Sequence, residues 1–185
     1  MNLKDYVKVY DNVLDKKYCK QIVQLFNENE HPHERFENNH RPQFTQVRMT
    51  QHYGEHEAHQ ALMDASESVL QQYFQDTNMK RMMMPEEYRY EQFRIKKYFK
   101  GTGDQFADHV DVADHDSARR FLTFFFYLNG VNEGGETVFP TLNNFKVKPR
   151  RGRVLVFPPM WLYPHIGMPT ISHDKYIVGS YLHYM

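Results

Sequence analysis

His109-Val110-Asp111 is the segment of this 185-residue chain best placed to hold a cation. Alternate residues of an extended strand project from one face about 7 Å apart, so an imidazole and a carboxylate at i and i+2 can reach the same ion. A second imidazole from a distant strand would complete a facial set of two histidines and one carboxylate. Such a set leaves coordination positions open and suits non-haem iron(II) centres that activate oxygen. His165, in the run Trp161-Leu162-Tyr163-Pro164-His165, is the candidate. Alone, the triplet says little, because a chain of this length holds roughly 0.65 His-x-Asp triplets by chance. The competing reading is a hydrogen-bonded pair on a solvated strand end, with His165 packed beside Trp161 and Tyr163.

Two strand-like runs add weight. In Lys175–His183, alternation puts Lys175, Ile177, Gly179 and Tyr181 on one face and Tyr176, Val178, Ser180 and Leu182 on the other. If the first face lines an interior, Lys175 is a buried ammonium that needs an anion, and a dicarboxylate ligand would supply one. In Arg120–Leu128, Phe121, Thr123, Phe125 and Tyr127 share a face, so Thr123 and Tyr127 bring hydroxyls into an otherwise apolar wall. Taken singly, Lys175 reads as a solvated strand start and Tyr127 as an aromatic near a turn.

The elements that must position these residues are legible in outline. Asp15–Asn29 predicts a helix, with Asp15 as its cap and Cys19, Ile22, Val23, Leu25 and Phe26 at helical spacing. Glu55–Thr77 predicts a longer one through the stripe Ala58, Leu62, Ala65, Val69, Tyr73 and Phe74. The polar stretch Glu30–Gly54, including Asn39 and Arg41, reads mostly as loop. After Pro85 the texture is β-rich, with runs at Tyr90–Phe99, Phe106–Asp111, Arg120–Leu128, Thr137–Phe139, Asn144–Val147, Arg153–Phe157 and Lys175–His183. The expectation is one α+β domain over 1–185, in which 1–85 is mainly helical support and 86–185 is the sheet core, with the helices packed on one sheet.

Composition excludes several classes. Lys and Arg number 23 and Asp and Glu 23, so no basic footprint points to nucleic acid or an anionic membrane. No run approaches the roughly 18 apolar residues of a membrane span. The first residues lack the apolar core of a signal peptide, and the single cysteine, Cys19, cannot form an internal disulfide. A cytoplasmic location is expected.

Five blocks then fall in a recognisable order: Tyr98 with its Gly-containing turn and HVD (109–111), TFFFYLN (123–129), GGETVFP (134–140), RGRVLVFP (151–158), and His165 followed ten positions on by Lys175. In this order the chain resembles the prolyl 4-hydroxylase branch of the iron(II) and 2-oxoglutarate dioxygenases, most specifically over Tyr90–Tyr184. The resemblance implies a double-stranded β-helix, or jelly roll, with Fe(II) held by His109, Asp111 and His165. It implies that 2-oxoglutarate and O2 are cosubstrates, that Lys175 holds the far carboxylate, that Tyr127, Thr123 and Tyr98 line the same pocket, and that ascorbate serves as an accessory reductant. It further implies hydroxylation of a proline-containing peptide or protein, with release of succinate and CO2. Tyr181 departs from the pattern, standing where relatives often carry Trp.

Other readings stay open. The same iron site would serve a hydroxylase of a free amino acid or other small molecule, and a jelly roll can also be a non-catalytic or cupin-like metal-binding module. Arg94 and Lys96 share a face with Tyr98 and either meet an acidic substrate or are solvated, the latter being favoured. Segment 30–54 is either a lid over the entrance or a plain surface connection. His52, His56 and His59 read as a polar helix face sooner than as a second metal site.

Overall fold

The computed structural model describes residues 2–38 and 42–185. Strand β1 (Lys8–Tyr10) precedes helix α1 (Lys16–Glu28), whose N-terminus is capped by Asp15 accepting from the Lys17 amide at 2.6 Å. Next come β2 (Glu34–Glu37), β3 (Gln43–Arg48), the short helix α2 (Met49–Tyr53) and the long helix α3 (Glu57–Thr77). The rest of the chain runs through β4 (Tyr88–Tyr90), β5 (Arg94–Tyr98), β6 (Phe106–His109), β7 (Arg120–Tyr127), β8 (Thr137–Phe139), β9 (Phe145–Val147), β10 (Arg153–Phe157), β11 (His165–Gly167) and β12 (Lys175–Tyr184). Among the described residues no helix is long and apolar enough to cross a membrane.

The strands form two antiparallel sheets. The larger runs β1-β10-β7-β12-β5-β3-β2, with β4 also on β12, and the smaller runs β6-β11-β8-β9. Alternation along β7 and β12 divides the apolar side chains into two cores. Leu122, Phe124, Phe126, Val178 and Leu182 pack outward against Cys19, Ile22 and Phe26 of α1 and Leu62, Val69 and Tyr73 of α3. Phe125, Tyr127 and Ile177 point inward, with Tyr98, Phe139, Val147 and Phe157, between the sheets. This is the expected jelly roll with helices on one sheet face.

Three expectations are corrected. Segment 30–54 is not mostly loop: Glu34–Glu37 and Gln43–Arg48 pair as a hairpin, Gln43–Arg48 joins Arg94–Tyr98, and a helical turn follows; Asn39 and Arg41 lie outside the described residues. The sequence showed no alternation there because Phe44, Thr45, Gln46 and Val47 are all buried, and the Gln46 amide is satisfied by Glu34 at 2.8 Å. Region 1–85 therefore supplies three strands of the large sheet besides its helices. His52, His56 and His59 do not share one helix face. His52 lies in α2, His56 caps α3 by accepting from the Ala58 amide, and His59 meets the Thr50 hydroxyl.

Candidate active site

β6 and β11 are neighbours in the small sheet, with His165 directly opposite His109. That register, which no local pattern reveals, brings the two imidazoles to a centroid separation of 4.2 Å. β6 ends at His109, and the chain then bends so that Asp111 comes back between them. Its Oδ1 lies 3.5 Å from His109 Nε2 and its Oδ2 lies 3.7 Å from His165 Nε2. One ligand atom from each residue falls within 4.8 Å of the others, and all three residues are buried. The bend is braced by Arg120, which donates to the Asp111 carbonyl at 2.8 Å and holds Glu91 through two nitrogens.

Protonation follows from the partners. His109 Nδ1 faces the Ala107 carbonyl at 2.7 Å and His165 Nδ1 faces that of Tyr163 at 3.2 Å. A carbonyl only accepts, so both Nδ1 atoms carry a proton and both Nε2 atoms point into the site. Neither Nε2 has a hydrogen-bond partner among the described residues. Burial pushes His165 down to about 4, keeping it neutral at neutral pH. Burial opposes ionisation of Asp111, but His165, His109 and Lys96 outweigh it and hold the carboxyl well below its ordinary range. Two imidazole nitrogens aimed at one carboxylate, neither with a hydrogen-bond partner among the described residues, are what a divalent transition metal requires.

Beside this cluster lies a pocket walled by Tyr98, Phe106, Phe125, Thr137, Ile177 and two lysines. Lys175, 2% exposed, donates to the Gly135 carbonyl at 3.1 Å and sits 4.1 Å over the Tyr98 ring. Gly134 and Gly135 both adopt positive φ, so the GGETVFP turn presents that carbonyl to the ammonium. No carboxylate forms an ion pair with Lys175 among the described residues, and burial pushes it down to about 7. Tyr127 reaches the pocket wall through a 2.7 Å bond between its hydroxyl and that of Thr137. Thr123 lies elsewhere than beside Lys175: its hydroxyl donates to Asp111 Oδ2 at 3.2 Å, while the Tyr181 hydroxyl donates to Oδ1 at 3.0 Å.

The sequence did not put forward Thr137 or Tyr181 as site residues, and it favoured solvent over an acidic substrate as the surroundings of Lys96. Thr137 sits in a three-residue strand too short to show a periodicity, although it alternates with the inward Phe139. The favoured solvated reading of Lys96 is wrong, since the residue is buried and lines the pocket. Arg94 is only partly exposed and leans on Glu91 at 3.7 Å.

Comparison with known proteins agrees with this arrangement. Residues 93–183, which contain the whole cluster and both lysines, match the family model of the 2OG-Fe(II) oxygenase superfamily. That match spans 91 of the 185 residues, just under half of the chain. Prolyl 4-hydroxylase 13 of Arabidopsis thaliana is 30% identical over 53% of this chain and 44% of its own length. Probable prolyl 4-hydroxylase 9 of the same plant is 35% identical over 36% of this chain and 29% of its own. The chain thus spans less than half the length of these relatives. Two solved structures share the double-stranded β-helix. The viral collagen prolyl hydroxylase of Paramecium Bursaria Chlorella virus-1, in its 2OG complex, has a TM-score of 0.74 and 22% identity, and the match covers 97% of both chains. A Trichoplax adhaerens prolyl hydroxylase in complex with a hypoxia inducible factor peptide fragment has a TM-score of 0.74 and 18% identity over 97% of this chain and 84% of that one. The superfamily takes ferrous iron and 2-oxoglutarate. The orphaned imidazole nitrogens beside Asp111 fit the first, and the buried ammonium of Lys175 fits the second.

Proposed function

We propose that this chain is an iron(II)- and 2-oxoglutarate-dependent dioxygenase that hydroxylates an unactivated C–H bond, with a prolyl residue of a peptide or protein as the substrate that its relatives suggest. The observation that carries the reading is the pair of unpartnered Nε2 atoms converging on an ionised Asp111 next to a buried, unpaired Lys175. When bound, ferrous iron and 2-oxoglutarate together activate dioxygen, one oxygen atom entering the substrate and the other the succinate released with CO2.

The chain's own groups supply the geometry. His109, Asp111 and His165 would hold the metal, supplying two nitrogens and one carboxylate oxygen. Tyr181 and Thr123, each donating to one Asp111 oxygen, fix the carboxylate plane and leave further lone pairs for the metal. Lys175 draws the far carboxylate of 2-oxoglutarate into the pocket, with whichever hydroxyl of the Tyr127–Thr137 pair does not donate to the other as an additional donor. Phe125, Ile177 and Tyr98 exclude water, which strengthens the lysine's attraction. Gly179 gives Phe125 room: a Cβ there would stand 3.3 Å from the ring, which would have to give by a few tenths of an ångström.

A non-catalytic module has no need of an ammonium buried at this cost. We also read 1–185 as one catalytic unit, because strands of its first half complete the large sheet, and place it in the cytoplasm, where the lone, buried Cys19 stays reduced. The test is anaerobic titration of the iron(II) protein with 2-oxoglutarate, followed by aerobic incubation with proline-containing peptides and free amino acids. A weak visible charge-transfer band and a product one oxygen heavier, formed with succinate, are expected. Absence of the band in metal-loaded protein would sink the reading.

A further inference from the structure

Resting on the dioxygenase reading above, we propose that the substrate carries a carboxylate and that Lys96 recognises it. Lys96 lies on the inward row of β5 between Arg94 and Tyr98, and only 8% of it is exposed. Its Nζ is 4.9 Å from the centroid of Phe44 and 5.8 Å from that of Phe106. The Phe106 ring in turn stacks on His109 at 3.5 Å. The ammonium therefore stands one aromatic ring away from the metal site, flanked by ring faces that favour a cation. It has no ion pair or hydrogen bond to a carboxylate among the described residues.

Charge balance indicates what it is for. A divalent metal with Asp111 leaves one positive charge, Lys175 adds a second, and the 2-oxoglutarate dianion cancels both. Lys96 is left over. Asp111 attracts it through space but is committed to the metal, and Arg94 and Arg120 share the single carboxylate of Glu91, at 3.7 and 2.7 Å. A buried ammonium without a counter-charge is strongly unfavourable, and an arriving carboxylate would relieve it. A neutral substrate of the same shape would leave it unpaired, so Lys96 discriminates by charge in a site too dry for water to compensate. The carboxylate has two possible sources: the main-chain carboxylate of an amino acid, or an acidic side chain beside the target residue in a peptide.

The test uses protein loaded with Mn(II) and 2-oxoglutarate, which binds without turning over, and two matched probe pairs measured by calorimetry. The first pair is N-acetylproline and N-acetylprolinamide, and the second is acetyl-Ala-Pro-Glu-amide and its Gln counterpart. The wild type is expected to favour the acidic member of at least one pair by about tenfold or more, as a buried charge pair should; the pair that responds identifies the source. Lys96→Met and Lys96→Gln should remove that preference while leaving 2-oxoglutarate affinity within about twofold. The wild-type preference is measured without any variant, so a misfolded variant does not block the test. A wild type indifferent to charge in both pairs, including one that binds none of the four probes, overturns the proposal. Loss of 2-oxoglutarate affinity in either variant also overturns it, by assigning Lys96 to the cosubstrate. A normal iron(II)–2-oxoglutarate band with no charge preference leaves the dioxygenase reading standing, whereas a missing band removes that reading itself.

Discussion

Replacing Lys175 with methionine should move affinity and stability in opposite directions. The side chain is 2% exposed, and its ammonium has one hydrogen bond, to the Gly135 carbonyl, and one ring contact, to Tyr98. If the far carboxylate of 2-oxoglutarate is its counter-ion, removing one partner of that buried pair costs roughly 3 to 5 kcal/mol. At about 1.4 kcal/mol per tenfold, the cosubstrate Kd rises on the order of 10² to 10³. In the ligand-free protein the same ammonium is a burden. A fall from 10.5 to about 7 corresponds to a penalty on the order of 5 kcal/mol. Methionine relieves part of it, less about 1 kcal/mol for the carbonyl left without its donor. Each kcal/mol recovered should raise Tm by about 2 to 4 °C. The pH dependence has a definite sign. Unfolded lysine keeps its proton up to about 10.5, whereas Lys175 in the fold releases it near 7. The unfolded state then binds more protons between those limits, so the Lys175 contribution makes wild-type stability rise with pH across that window. The penalty is fully present below pH 7, and Lys175→Met should lack this part of the rise. Anaerobic 2-oxoglutarate titrations and ligand-free thermal melts at pH 6 and 9 measure both effects. Wild-type cosubstrate affinity in Lys175→Met, or a ligand-free variant as destabilised as a core truncation, would refute the reasoning.

Three further outcomes are expected. Asp111→Asn keeps the shape but removes the anionic ligand, so calorimetric Mn(II) affinity should fall by at least about 100-fold, beyond what loss of a supporting hydrogen bond causes. In metal-free protein, His165 resists protonation down to about 4 while the unfolded imidazole takes a proton near 6.5. The folded state then binds fewer protons, and stability should drop by on the order of 3 kcal/mol as pH falls through that interval, a loss that melts of His165→Asn should not show. Gly134→Ala places a Cβ against the Pro169 carbonyl oxygen at φ +75°, so urea unfolding should register a loss above about 2 kcal/mol.

Local chemistry made much of this protein legible in its sequence. Helical spacing and the Asp15 cap set α1, and the apolar stripe set α3, because both signals act within a few residues. Period-two alternation sorted β7 and β12 into two faces, grouping Phe125 with Tyr127 and Lys175 with Ile177, and the resemblance pointed those faces inward. The order of the blocks from Tyr98 to Lys175 carried the family. Tertiary structure alone decided what depends on pairing between distant segments. It paired Glu34–Glu37 with Gln43–Arg48 and set the latter against the edge that Arg94–Tyr98 offers. It set His165 opposite His109 across two short strands whose register has no local signature. It assigned the Thr123 hydroxyl to Asp111 instead of to the pocket beside Lys175, and it buried Lys96, which reads as an ordinary surface lysine in sequence, between two phenylalanine rings from other strands. Side-chain periodicity records which face a residue is on; what that face meets is determined by the rest of the chain.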